Sequence, residues 1–279
     1  MEDTTSRAFL TPKRIQSTVI WIVVVATLCA IIAAVVKRWK YVYMLPRATR
    51  CVPLSEYPFQ TGDLIIVCTE TRKEGFFNLS VAIKFFCGTP WNHVGVVYVD
   101  PHTQEPYLWE MVGSGLTRLI PISDIPDDPF AAHYFVRSIN RPCDPSTMQC
   151  VMRQQWTNQF NYDIMMPWYS RHMSSVTCAN GVRWANGRQK TCSQLAAEVY
   201  QALGIMDFTH TGVDVSELFP SDYAGENGTG GKARSDGRSN NAGQQTPNGA
   251  LPMVRGAQFG PLVELTFARQ ANPRSKQND

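Results

Sequence analysis

From Ile15 to Val36 the chain runs for 22 residues without a charged side chain, rich in Val, Ile, Ala and Leu. At ~1.5 Å per residue a helix of that length reaches roughly 33 Å, enough to cross a hydrocarbon core. A cleaved signal peptide is the rival reading, but its apolar region usually runs to only ~7–15 residues before a small-residue cleavage site. Here the run ends in Lys37-Arg38-Trp39-Lys40, followed by Tyr41 and Tyr43. Basic residues and aromatics at headgroup level suit a membrane stop. The expectation is a retained single-pass transmembrane helix over 15–36, after an N-terminal tail of residues 1–14. Arg7, Lys13 and Arg14 precede the run, whereas Lys37, Arg38, Lys40, Arg47 and Arg50 follow it. That surplus favours a cytosolic C-terminal domain.

Composition narrows the remainder. A net charge of +3 over 279 residues, with no Lys/Arg run and no aromatic-basic interleaving, gives no case for nucleic acid. The eight cysteines show no CxxC pair and no Cys/His spacing that suits zinc, so neither a metal nor an organic cofactor is implied. They are also too few for a disulfide scaffold, and both a reducing and an oxidising compartment remain compatible with them.

Residues 37–58, punctuated by Pro46, Pro53 and Pro58, read as a juxtamembrane linker. Thr61-Gly62-Asp63 then turns the chain into the buried-strand run Leu64-Ile65-Ile66-Val67. A short helix is expected over 77–87, and strands over Val94–Val99, Pro106–Val112, Leu116–Ile122 and His133–Arg137. Gly113-Ser114-Gly115 reads as the turn after the second of these. Helical spacing appears over Met148–Phe160, and residues 164–190 read mostly as loop. Thr191–Leu203 is the clearest helix, with a stripe of Leu195, Ala196, Val199, Ala202 and Leu203 and a stop at Gly204. The segment 221–258 is expected to be disordered, since its stretch GENGTGGKARSDGRSNNAGQQTPNG holds no aromatic and hardly any bulky apolar residue. For 259–268 two readings stand, a strand returning to the sheet or a hydrophobic patch in a loose tail, before a final tail of 269–279.

Cys192 opens the last helix. In a first turn the free N–H groups and the helix dipole stabilise a thiolate, and Thr191 suits the N-cap. His93 enters the apolar strand VGVVYV, where it is placed to act as general base toward that thiol. Glu110 ends the strand YLWE, one hairpin later, and is the candidate that orients the imidazole. Each has a bland alternative: a buried structural Cys, a satisfied core His, a solvent-facing Glu.

These blocks resemble the circularly permuted papain-like amidases and hydrolases related to the NlpC-type cysteine peptidases. Gly62-Asp63-Leu64-Ile65 is similar to the family's entry strand. His93-Val94-Gly95-Val96-Val97 matches its histidine strand, Glu110 its following acid, and Cys192-Ser193-Gln194-Leu195 its nucleophile helix. Tyr162-Asp163 fits a pair common before that helix. The resemblance covers about residues 59–220. It implies an α+β permuted papain-like (NlpC-like) domain with a central antiparallel sheet, Cys192 as nucleophile, His93 as base and Glu110 as orienting residue. It also implies an oxyanion hole from the Cys192 N–H with Tyr162 near it. The long segment between Tyr162 and Cys192, with its extra Cys178, departs from the pattern and bears on substrate and access.

The leading expectation is a membrane-anchored cysteine hydrolase or acyltransferase acting on a lipid, a lipidated protein or a peptide. A catalytically inactive binding module of the same fold is the alternative, and a structural membrane protein with a recruiting tail is a third. Asn78-Leu79-Ser80 and Asn227-Gly228-Thr229 fit the glycosylation pattern, which matters only for a domain facing a lumen.

Overall fold

The computed structural model describes residues 12–48, 50–71, 78–112, 117–127, 133–156, 159–160, 189–208, 215, 218–224, 251 and 253–267, the side chains of 12–18, 159, 160 and 189 excepted. They fall into two compact units, Met1–Lys40 and Tyr41–Asp279.

The first unit is carried by helix α1 (Pro12–Tyr43), of 32 residues. Within it Val19–Tyr43 has a window of mean hydropathy 3.1 and no burial, so the helix is long and apolar enough to cross a membrane. A signal sequence near an N-terminus meets the same measure.

The second unit is α+β. Its sheet has seven strands: β1 (Arg50–Pro53), β2 (Leu64–Cys68), β3 (His93–Val99), β4 (Pro106–Met111), β5 (Thr117–Pro121), β6 (His133–Arg137) and β9 (Val263–Thr266). Their order is β1-β9-β6-β2-β3-β4-β5. Every neighbouring pair is antiparallel except β1 and β9. A separate parallel pair joins β7 (Gln159–Phe160) to β8 (Gln189–Lys190). The helices are α2 (Leu79–Cys87), α3 (Pro145–Gln155), α4 (Cys192–Ala202) and α5 (Pro220–Ala224).

The sequence of β2 explains its central place. Leu64, Ile66 and Cys68 enter the core that also holds Met148 and Val151 of α3 and Leu195 and Val199 of α4. Ile65 and Val67 enter a second cluster with Val97, Leu108, Ile122 and Ile125 on the opposite face. A strand buried on both faces must be apolar at every position, and each such side chain contributes about 1.5–3 kcal/mol. Gly62, at φ 94°, makes the turn into β2, and a Cβ there would lie 2.3 Å from Cys143 Sγ. Asp63 beside it is fully buried. Its carboxylate accepts the Gln60 and Ile139 N–H groups at 3.0 and 3.2 Å. Burial outweighs those donors and pushes its pKa up to about 6. Tyr200 of α4 donates to Gly62 O at 2.9 Å, so the Gly-Asp block ties the far end of α4 to the sheet.

Several expected boundaries move. Residues 37–58 are more than a linker: α1 continues to Tyr43 and Arg50–Pro53 forms an edge strand. The helix expected over Met148–Phe160 begins at Pro145, because Asp144 caps it by accepting from Ser146 and Thr147 N–H, and it ends at Gln155. In the segment 221–258 the edges are ordered and buried, at Tyr223, Ala224, Leu251 and Ala257. Val263–Thr266 pairs with β6 and β1, so of the two readings of 259–268 the sheet strand is the one observed. Residues 225–250, the expected turn at 113–115 and most of 164–190 lie outside the described residues.

Candidate functional site

Strand register assembles the site from three adjacent strands. Val67 of β2 faces His93, Gly95 faces Glu110, and Glu110 faces Arg118 of β5. His93, Glu110 and Arg118 therefore occupy one end of the sheet. The entry to β3 is pinned there: Asn92 donates its N–H to Val67 O at 3.2 Å and accepts from Thr69 N–H at 2.9 Å. Gly95 leaves the space for the acid. A Cβ at that position would lie 2.7 Å from Leu108 Cδ1 and 3.0 Å from Glu110 Cβ.

Helix α4 brings the thiol. Thr191 caps it by accepting from Gln194 N–H at 3.2 Å. Lys190, buried just before the cap, pairs with Glu198 and donates to Gln155 Oε1 at 2.8 Å, fixing the approach to the helix. Tyr223 of α5, fully buried, donates to Ser193 O at 2.7 Å and clamps the first turn. Cys192, 5% exposed, is thus held in a first turn whose N–H groups have no partner within the helix.

Cys192 and His93 are coupled, each favouring the charged form of the other. Glu110 takes the other side of the ring, with His93 Nε2 and Glu110 Oε2 2.5 Å apart. With Nε2 committed to the carboxylate, Nδ1 is the nitrogen left for the thiol. Burial opposes a thiolate at Cys192, but the positive imidazole, its hydrogen bond, the Val94 N–H and Ser193 together bring the pKa down. Burial likewise opposes charge on His93. The negative charges of Glu110 and Cys192 prevail and raise its pKa. For Glu110, whose side chain is 3% exposed, burial is outweighed by His93 and Arg118, and the carboxyl stays below its ordinary range. The three shifts run together: each favours the charged form of its own group, the thiolate, the imidazolium and the carboxylate.

The three residues singled out in the sequence are therefore in one linked group. Tyr162, the expected neighbour of the oxyanion position, and Asp163 lie outside the described residues, as do Cys178, His172 and His210. Arg118 was not anticipated. Its Nε donates to Glu110 Oε1 at 2.5 Å. The β4–β5 register sets residue 118 opposite 110, so register was the available signal. Among the described residues no group of three or more His, Cys, Asp or Glu side chains is arranged to hold a metal ion.

No protein-family model and no curated protein matches the chain. Among solved structures, the metalloprotein yiiX from Escherichia coli O157:H7, DUF1105, is 18% identical over 53% of this chain and 69% of its own, with a TM-score of 0.37.

Proposed function

We propose that this chain is a single-pass, membrane-anchored cysteine hydrolase or acyltransferase with a permuted papain-like domain on the cytosolic side. The observation that carries the reading is His93 bonded to the buried Glu110 at 2.5 Å and coupled in charge to Cys192. A thiol at a helix start, a base on a strand and a buried acid behind the base are the parts of nucleophilic acyl chemistry.

In this reading the Cys192 thiolate attacks the carbonyl carbon of an amide or ester, forming the C–S bond while the carbonyl electron pair moves onto oxygen. The Cys192 N–H, with no acceptor within its own helix, is available to that oxyanion. Collapse of the intermediate breaks the bond to the amine or alkoxide, which takes the proton from His93. Neutral His93 then removes a proton from water, or from an acceptor hydroxyl or amine. Attack on the thioester releases the acyl product and returns Cys192 to the thiolate. Glu110 holds the ring through both steps.

The tether supports a substrate that resides in the bilayer, a lipid or a lipidated protein, over a soluble peptide. Thr71 Oγ1 donates to Val42 O at 2.6 Å, and Cys68 Sγ lies 3.8 Å from Met44 O. Residues 42–44 of the second unit are thus held at the end of β2, where Cys68 lies one residue beyond Val67, the partner of His93.

The test uses the full chain in phospholipid vesicles, treated with a long-chain acyl ester probe and digested for mass spectrometry. The acyl mass is expected on the peptide containing Cys192 and absent from Cys192→Ala. A folded wild-type protein that turns over no probe and gains no acyl mass at Cys192 contradicts the proposal.

A further inference from the structure

We infer that Arg118 is a positioning residue of this site: it holds one oxygen of Glu110 so that the other meets His93, and it keeps the buried carboxylate paired when His93 gives up its proton. The inference rests on the cysteine-hydrolase reading above.

Glu110 is nearly sealed from solvent and has a cation on each oxygen: His93 Nε2 at Oε2 and Arg118 Nε at Oε1, both at 2.5 Å. The two are not equivalent. His93 changes charge during the reaction, whereas a guanidinium stays protonated at any working pH. When the leaving group takes the His93 proton, a carboxylate held by His93 alone is left buried beside a neutral ring, and an uncompensated buried charge is costly. Arg118 remains in place through that step. Its side chain is 41% exposed and reaches inward from β5, where direct pairing with Glu110 sets the approach through the backbone.

Among the described residues, the other groups coupled to the cluster do not carry that charge. From α4 come Cys192 and Ser193, and from α5 comes Tyr223, whose phenol burial holds neutral and which the Cys192 charge disfavours further. None of these is a cation. Arg118 therefore favours proton release from His93 and also favours the thiolate. Without it the local charge becomes more negative by one, so Cys192 and His93 both hold their protons to higher pH.

The experiment measures alkylation of Cys192 by iodoacetamide against pH, read by peptide mapping, alongside kcat and KM for the acyl ester probe. Wild type, Arg118→Gln and Arg118→Lys are compared in vesicles. In Arg118→Gln the alkylation limb is expected to move up by about one pH unit, with kcat falling and KM little changed. Arg118→Lys, which keeps the charge, restores the limb. A purely structural role predicts lower activity with the limb unmoved, and that result overturns the inference. So does a Lys variant that behaves like the Gln variant. If Cys192 in wild type already titrates as an ordinary thiol, the hydrolase reading itself fails; a normal wild type with an unmoved Gln variant removes only the role of Arg118.

Discussion

Two groupings of a thiol, an imidazole and a carboxylate are built on the same sheet, one of them completed by Cys192 of α4, and they differ in which member lies in the middle. In Cys192–His93–Glu110 the imidazole joins the other two. In Cys51–Glu264–His133 the carboxylate does. Cys51 Sγ lies 3.7 Å from Glu264 Oε2, and His133 Nδ1 lies 2.8 Å from Glu264 Oε1. The consequences for the thiol are opposite. An imidazolium beside Cys192 draws its pKa down, whereas at Cys51 desolvation, then the Glu264 charge and its hydrogen bond, push it up. A thiol donating to a carboxylate is less nucleophilic than a free one, whatever histidine stands behind it. The order of contacts, more than the inventory of residues, decides which way each thiol's pKa moves.

The sharpest way to break this contrast is to neutralise each acid. Glu110→Gln leaves the buried ring without its anionic partner and should lower acyl-probe turnover by about 10²–10⁴. Glu264→Gln should leave turnover within about twofold, and a comparable loss there would erase the distinction. A smaller effect comes from crowding one grouping alone. Gly95→Ala forces a methyl against Leu108 and Glu110, and overpacking of this kind costs about 1–3 kcal/mol. Thermal unfolding of the variant should show that loss, with turnover reduced because Glu110 is displaced. The smallest effect belongs to the silent grouping. Removing the Glu264 charge lowers the Cys51 pKa, enlarges its thiolate fraction at neutral pH, and should speed Cys51 alkylation by about two- to threefold.

The elements readable in the sequence were those whose residues interact locally. The run LIIVC announces a strand buried on both faces, and the stripe along CSQLAAEVYQA announces a helix with one buried side. His93, Glu110 and Cys192 could be nominated because each sits on such an element. What escaped depends on partners far along the chain. β1 is four residues, RCVP, ending in proline and largely exposed, and it becomes a strand only because β9 arrives from more than two hundred residues away. The start of α3 was set by the Asp144 cap instead of by its apolar spacing. Arg118 reads as one more surface cation until the β4–β5 register places it opposite Glu110. Asp63 looks in the sequence like part of the catalytic family's signature, but its partners are backbone N–H groups that secure the turn.

The central claim is that Cys192, and not Cys51, is a thiolate at neutral pH because His93 stands between it and Glu110. The direct measurement is the pH dependence of iodoacetamide alkylation at each cysteine in the vesicle-bound full chain, resolved by peptide mapping in wild type, His93→Ala and Glu110→Gln. Cys192 should react at pH values below the ordinary thiol range of about 8.5, lose that reactivity without His93, and titrate later without Glu110, while the exposed Cys51 stays slow in all three. A Cys192 that titrates at or above 8.5 and ignores both substitutions in folded protein would contradict the account.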